Sequence, residues 1–120
     1  MKVAVTTTGE GLTADVDARF GRTRKFLVFD TETEETEIVE NSQAYNTPQG
    51  AGIQAAENIM KAGATAVITG NVGPNAHRAL TAAKIDIYIG ASGTVAEALE
   101  AYKKGELESA ASANVDGHWV

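Results

Sequence analysis

From Ile53 to Gly105 the chain alternates two hydrophobic periods, and no other feature narrows its fold as sharply. "IQAAENIMKAG" places Ile53, Ala56, Ile59, Met60 and Gly63 on one side at helical spacing, with Gly63 as a stop. "ATAVITG" is a short apolar run of strand length. "PNAHRALTAA" reads as a second helix with Pro74 at its first position, where a missing N–H costs nothing. "IDIYIG" is extended again. "TVAEALEAYKKG" is a third helix, capped by Thr94 or Ser92, with Val95, Ala98, Leu99 and Tyr102 inward and Gly105 as its stop. Strands separated by such helices run parallel and are joined by right-handed crossovers.

The first half adds an antiparallel member. "KVAVTT" is a buried first strand. "KFLVFDT" and "TEIVEN" form a hairpin around a tight turn at Glu34 and Glu35. Between the first two strands lies "TGEGLTADVDARFGRTR", a long polar loop with a short helical turn expected around Val16 to Phe20. A loop of that length inside a compact domain is often functional. A second Gly-rich loop, "SQAYNTPQGAG", leads into the first helix. The expected fold is α/β: a three-layer α/β/α sandwich on a five-stranded mixed sheet, order 3-2-1-4-5, with strand 2 antiparallel. Residues 1–108 form one domain, and 109–120 are a weakly patterned tail carrying Trp119.

Composition removes several function classes. The net charge of −6 argues against general nucleic-acid binding, which needs a basic surface to displace counterions. No apolar run approaches the roughly 18 residues that cross a membrane. The apolar stretch at the N-terminus is too short for a signal peptide, so a cytoplasmic location is expected. With no cysteine in the chain, disulfides and thiolate-ligated metal sites are excluded. Four of the ten cations, Arg19, Arg22, Arg24 and Lys25, fall within seven residues. Such a cluster on an acidic protein favours a compact anion over a long polyanion.

In an open α/β sheet, ligands bind beyond the carboxyl ends of the strands, where connections diverge. Here that point lies between strand 1, ending in "TTTGEG", and strand 4, ending in "TGNVGPNA". Helix N-termini there offer outward N–H groups and partial positive charge. Gly70 and Gly73 allow close approach, Thr69, Asn71 and Asn75 add neutral polar groups, and Arg19 and Arg22 bring full charge as forked donors. The same Gly73-Pro74 pair also suits a plain turn that starts a helix. His77 lies near the start of the second helix, where a neutral imidazole is expected. Asp15 and Asp17 are paired carboxylates that suit a solvated loop, a cation site or acid–base work. No P-loop lysine, nucleotide-binding glycine motif or catalytic triad can be assembled, so no catalytic residue is assigned.

Three motifs in this order and context, "RFGR" (Arg19, Phe20, Gly21, Arg22), "GAGI" (Gly50 to Ile53) and "GPNA" (Gly73, Pro74, Asn75, Ala76), resemble the dinitrogenase iron–molybdenum cofactor biosynthesis family, which includes NifX-like proteins and the C-terminal domain of NifB. The resemblance spans about residues 1–108. It implies a ribonuclease-H-like sandwich that binds, stores or hands over a metal–sulfur cluster. The match is best with the stand-alone, cysteine-free form of sulfate-reducing bacteria, which holds a molybdenum–copper sulfide cluster without covalent attachment. The resemblance carries over Arg19, Phe20, Gly21, Arg22, Gly50, Gly52, Ile53, Gly73, Pro74, Asn75 and Ala76. Gly70, Asn71 and His77 join them from the loop argument. The expected partners are the cluster, a molybdenum–copper sulfide or a related Mo/Fe–S species, and protein partners for delivery or signalling. A metal-dependent phosphotransferase or nuclease and a regulatory interaction module are the rival readings.

Overall fold

The computed structural model describes residues 1–42 and 50–111. They build a six-stranded sheet in the order β3-β2-β1-β4-β5-β6. The strands are β1 (Lys2–Thr7), β2 (Lys25–Asp30), β3 (Thr36–Glu40), β4 (Ala64–Ile68), β5 (Asp86–Ile89) and β6 (Glu108–Ser109). Three helices, α1 (Ala51–Lys61), α2 (Pro74–Ala82) and α3 (Val95–Lys103), complete the described elements.

The apolar runs are nearly continuous because both faces of the sheet are covered. Side chains alternate across a strand, so Ala4, Phe26, Val28, Val67, Ile87 and Ile89 point to one face. Val3, Val5, Leu27, Phe29, Ala66 and Ile68 point to the other. The first face packs on Ala55, Ala56 and Ile59 of α1 and on Ala76 and Leu80 of α2. The second packs on Val95, Ala98 and Leu99 of α3. Each large side chain fully buried this way contributes about 1.5–3 kcal/mol, which is why the three-layer arrangement follows from the pattern.

β1 is the pivot. It runs parallel to β4, with Val3 opposite Ala66 and Val5 opposite Ile68. On its other side it is antiparallel to β2, with Val5 opposite Leu27. The crossovers therefore diverge at the β1/β4 boundary, as the sequence predicts.

Three expectations need correction. The sheet has six strands, not five: Ser109 pairs with Tyr88 and Glu108 with Ile89, antiparallel at the far edge. β6 is two exposed residues long and offers no apolar alternation to detect. Val16 to Phe20 form no helical turn; Asp15, Val16 and Arg19 make isolated bridges to Thr94, Thr7 and Asn71. The hairpin connection is five residues, 31–35, rather than a turn of two. The Asp30 carboxylate accepts from the amides of Glu32 (2.8 Å) and Thr33 (3.3 Å), and Glu34 takes a positive φ of 63°. Those two amides hold the Asp30 carboxyl below its ordinary range. Most of the second Gly-rich loop (43–49) and the tail from 112, with Trp119, lie outside the described residues.

Candidate functional site

The long loop closes over the strand ends. Asp17 N donates to the Thr6 carbonyl at 3.0 Å, and Thr6 Oγ1 donates to the Asp17 carbonyl at 2.7 Å. Thr6 Oγ1 also lies 3.1 Å from Thr69 Oγ1 at the end of β4. Both threonines are fully buried. Ala18 crosses Gly70 so closely that a Cβ on the glycine would sit 2.9 Å from Ala18 Cα. Only glycine fits there. Phe20 N donates to the Asn71 carbonyl at 3.3 Å, and Asn71 Nδ2 donates to the Ala18 carbonyl at 3.0 Å. The loop thus fills the space over β1 and β4, and its outer side borders the candidate site.

Within "RFGR" the residues part ways. Arg19 is exposed and Arg22 half-buried. Phe20 is 1% exposed and packs into the α1/α2 core, its ring 5.5 Å from that of Phe26. Its contribution is to anchor the loop that carries the arginines. Gly21 is buried beside it. Lys25, the fourth cation of the cluster, is tied up: its ammonium bonds to Glu10 and lies 3.7 Å from Glu40. The bond to Glu10 raises the Lys25 pKa and lowers that of Glu10.

The loop's partners are two helix starts lying side by side. A Cβ on Gly52 would meet Ala76 Cβ at 2.8 Å and Ala76 N at 3.2 Å. Gly52 is the second residue of α1 and Ala76 the third of α2, so this contact brings the two N-termini together. Neither can cap itself with a side chain, because the N-cap residues are Gly50 and Gly73. The first intrahelical bonds run from Gln54 N to Gly50 O and from His77 N to Gly73 O. Ahead of them stand the amides of Ala51, Gly52, Ile53, Asn75 and Ala76, while Pro74 has no N–H to satisfy. No acidic residue occupies the first turn of either helix. Two aligned dipoles and five early amides make this corner attractive to an anion. The Arg19 backbone bridges Asn71, three residues before Pro74 opens α2.

Other predicted residues turn elsewhere. His77 Nε2 lies 3.1 Å from the Ala110 carbonyl, so the ring latches the segment after β6 to α2. Ile53 is 45% exposed and lines an apolar groove between α1 and α2 with Ala56, Met60, Ala79 and Ala83. Asp17 Oδ1 accepts from Arg19 N at 2.9 Å, while Asp15 is exposed. Among the described residues no three His, Asp or Glu side chains converge to hold a metal ion. Sequence reading missed the buried Asn41 and its partners Thr23 and Asn58, because an asparagine ending a strand carries no signal of what it bonds.

The start of α3 differs. Thr94 Oγ1 accepts from Glu97 N at 3.2 Å, and the Glu97 carboxylate accepts from Thr94 N at 2.9 Å, a full capping box. The Thr94 amide, then its hydroxyl, hold the Glu97 carboxyl below its ordinary range. Val95 N and Ala96 N donate to the carbonyls of Ala14 and Leu12, each at 2.9 Å.

Comparison with known proteins places this geometry. Residues 1–105 match the profile of a family described as dinitrogenase iron–molybdenum cofactor. Among solved structures, the apo form of the orange protein from Desulfovibrio gigas is 40% identical, covers 95% of this chain and 96% of its own, and superposes with a TM-score of 0.93. A Thermotoga protein described as NifB-like, of the DUF35 family, is 34% identical over 97% of this chain and 98% of its own, TM-score 0.84. An uncharacterised protein of Methanocaldococcus jannaschii is 34% identical over 92 residues, 74% of this chain and 77% of its own.

Proposed function

Because this chain belongs to the dinitrogenase iron–molybdenum cofactor family, we propose that it is a non-enzymatic carrier that binds, stores or transfers a molybdenum-containing metal–sulfide cluster. The family's description names an iron–molybdenum cofactor, which supports a cofactor-related cargo; the choice of a molybdenum–copper sulfide follows the likeness to the orange protein. The site is the corner formed by the Arg19–Arg22 loop and the N-termini of α1 and α2. The observation that carries this reading is the contact of Gly52 with Ala76, which sets two glycine-capped helix starts against one another, with Phe20 of the arginine loop anchored in the same core.

The residues suit such a cargo. A sulfide cluster is a bulky, diffuse anion with weakly accepting edges. It needs several amide donors and close approach more than one point charge. Gly50, Gly52 and Gly73 permit that approach, and Arg19 and Arg22 supply spread charge through planar guanidiniums. Without cysteine in the chain, the coordination shell of each metal is filled by the cluster's own sulfides. A Mg²⁺-dependent phosphotransferase, by contrast, would need several converging carboxylates, and Asp17 is already bonded to the Arg19 amide. No helix among the described residues is long and apolar enough to cross a membrane.

The test is reconstitution. Apo-protein mixed with tetrathiomolybdate and a copper salt, then desalted, should elute coloured with stoichiometric molybdenum. A colourless fraction without molybdenum contradicts the reading. Replacing both Arg19 and Arg22 by Ala should weaken retention while leaving the circular-dichroism spectrum unchanged; equal retention would remove the arginines from the site.

A further inference from the structure

A buried amide joins the arginine loop to α1. Asn41, fully buried just after β3, donates from Nδ2 to the Thr23 carbonyl at 2.8 Å and approaches the Gly21 carbonyl at 3.5 Å. Its Oδ1 accepts from Asn58 Nδ2 at 2.7 Å, and its backbone N donates to the Arg24 carbonyl at 3.1 Å. Asn58 Oδ1 in turn accepts from Gln54 Nε2 at 3.2 Å, one turn nearer the start of α1. Thr23 also bonds to both the amide and the carbonyl of Thr7, so the return leg of the loop is fixed to β1 as well. Both ends of the Asn41 amide are therefore committed, one to the loop and one to the helix. A buried amide that loses a partner bears a desolvation penalty, so such a link resists stretching.

We propose that Asn41, with Asn58, is a positioning pair: it fixes the Arg19–Arg22 loop against α1, so that the guanidiniums and the amides of the helix starts act on one anion. The ligand half of this statement rests on the carrier reading above; the coupling of loop to helix rests on the geometry alone. The link is directional. Because the loop takes the Asn41 donor, Asn58 must donate. Asn58→Asp keeps the shape and removes that donor. To bond the new carboxylate, the Asn41 amide must turn over, which sets its oxygen against the Thr23 carbonyl. Asn58 is half-buried, so water can reach the new carboxylate and the variant is expected to fold.

The experiment has two readouts. In ¹H–¹⁵N spectra of the apo-protein, Asn58→Asp should shift the amides of Gly21, Arg22, Thr23 and Arg24 and speed their hydrogen exchange. With tetrathiomolybdate and a copper salt, retention should fall roughly ten-fold if the loop holds the competent arrangement about a tenth of the time. In a double-mutant cycle, Asn58→Asp should cost nothing further once Arg19 and Arg22 are both Ala, an outcome that a merely structural role would not give. Asn41→Ala should reproduce the loss of retention with a lower unfolding midpoint. Unmoved loop amides in Asn58→Asp, unchanged retention, or an equal loss without the arginines would each overturn the proposal. Wild-type protein that retains no molybdenum would defeat the carrier reading, and the ligand half with it, while the apo spectra still decide the coupling.

Discussion

α3 begins on a threonine whose side chain bonds back into the helix, while α1 and α2 begin on glycines that have no side chain to offer. At α3 a glutamate answers the dipole and two loop carbonyls take the next amides. At the α1/α2 corner the first turns carry no acid, and a loop with two arginines stands beside them. One sheet thus supports a helix end closed by a capping box and two helix ends that begin on glycine, the pair we propose as the anion site. Replacing either glycine N-cap by Ser or Asp would stabilise its helix by only about a few tenths of a kcal/mol, so a side-chain cap is forgone at two adjacent ends at little cost.

Substitutions can break this contrast from either side. The largest effect is expected from Gly52→Val. Its Cβ would overlap Ala76, so it should lose about 1–3 kcal/mol of stability through overpacking, and cluster retention should fall with it as the paired N-termini are forced apart. Chemical denaturation and molybdenum analysis read the two losses. Thr94→Ala should cost about 1 kcal/mol in the same denaturation assay and leave retention unchanged, because the proposed site lies at the starts of α1 and α2. The smallest effect is a pH dependence. Glu97 has a lowered pKa in the folded protein, so its contribution is present above the ordinary value of 4.5 and fades as pH falls through the folded value below it. Glu97→Gln should therefore flatten the acid limb of the thermal midpoint against pH, with a lower midpoint near neutrality and a difference from the parent that vanishes in acid.

The layered core was legible because strand runs and helical stripes are periodic, and each was long enough to report its partner face. "GPNA" and "GAGI" announced helix starts through Pro74 and the glycines, but that the two starts touch is a fact of packing, seen only when Gly52 meets Ala76. Phe20 was read with its motif neighbours as a ligand-side residue, and its burial against Phe26 depends on where a polar loop folds back. β6 was illegible because it is made by backbone bonds to β5, with no apolar residue to mark it. The Asn41 link was invisible for a related reason. An asparagine is as common in a turn as in a network, and only the placement of Thr23 and Asn58 distinguishes the two.

The central claim, that the paired starts of α1 and α2 form the anion site and α3 does not, is tested most directly by titrating ¹⁵N-labelled apo-protein with tetrathiomolybdate and a copper salt. The amides of Ala51, Gly52, Ile53, Asn75 and Ala76 should shift first and saturate together with Arg19, while Val95, Ala96 and Glu97 stay in place. Shifts concentrated at Val95 to Glu97, or binding that leaves Gly52 and Ala76 unmoved, would contradict the account.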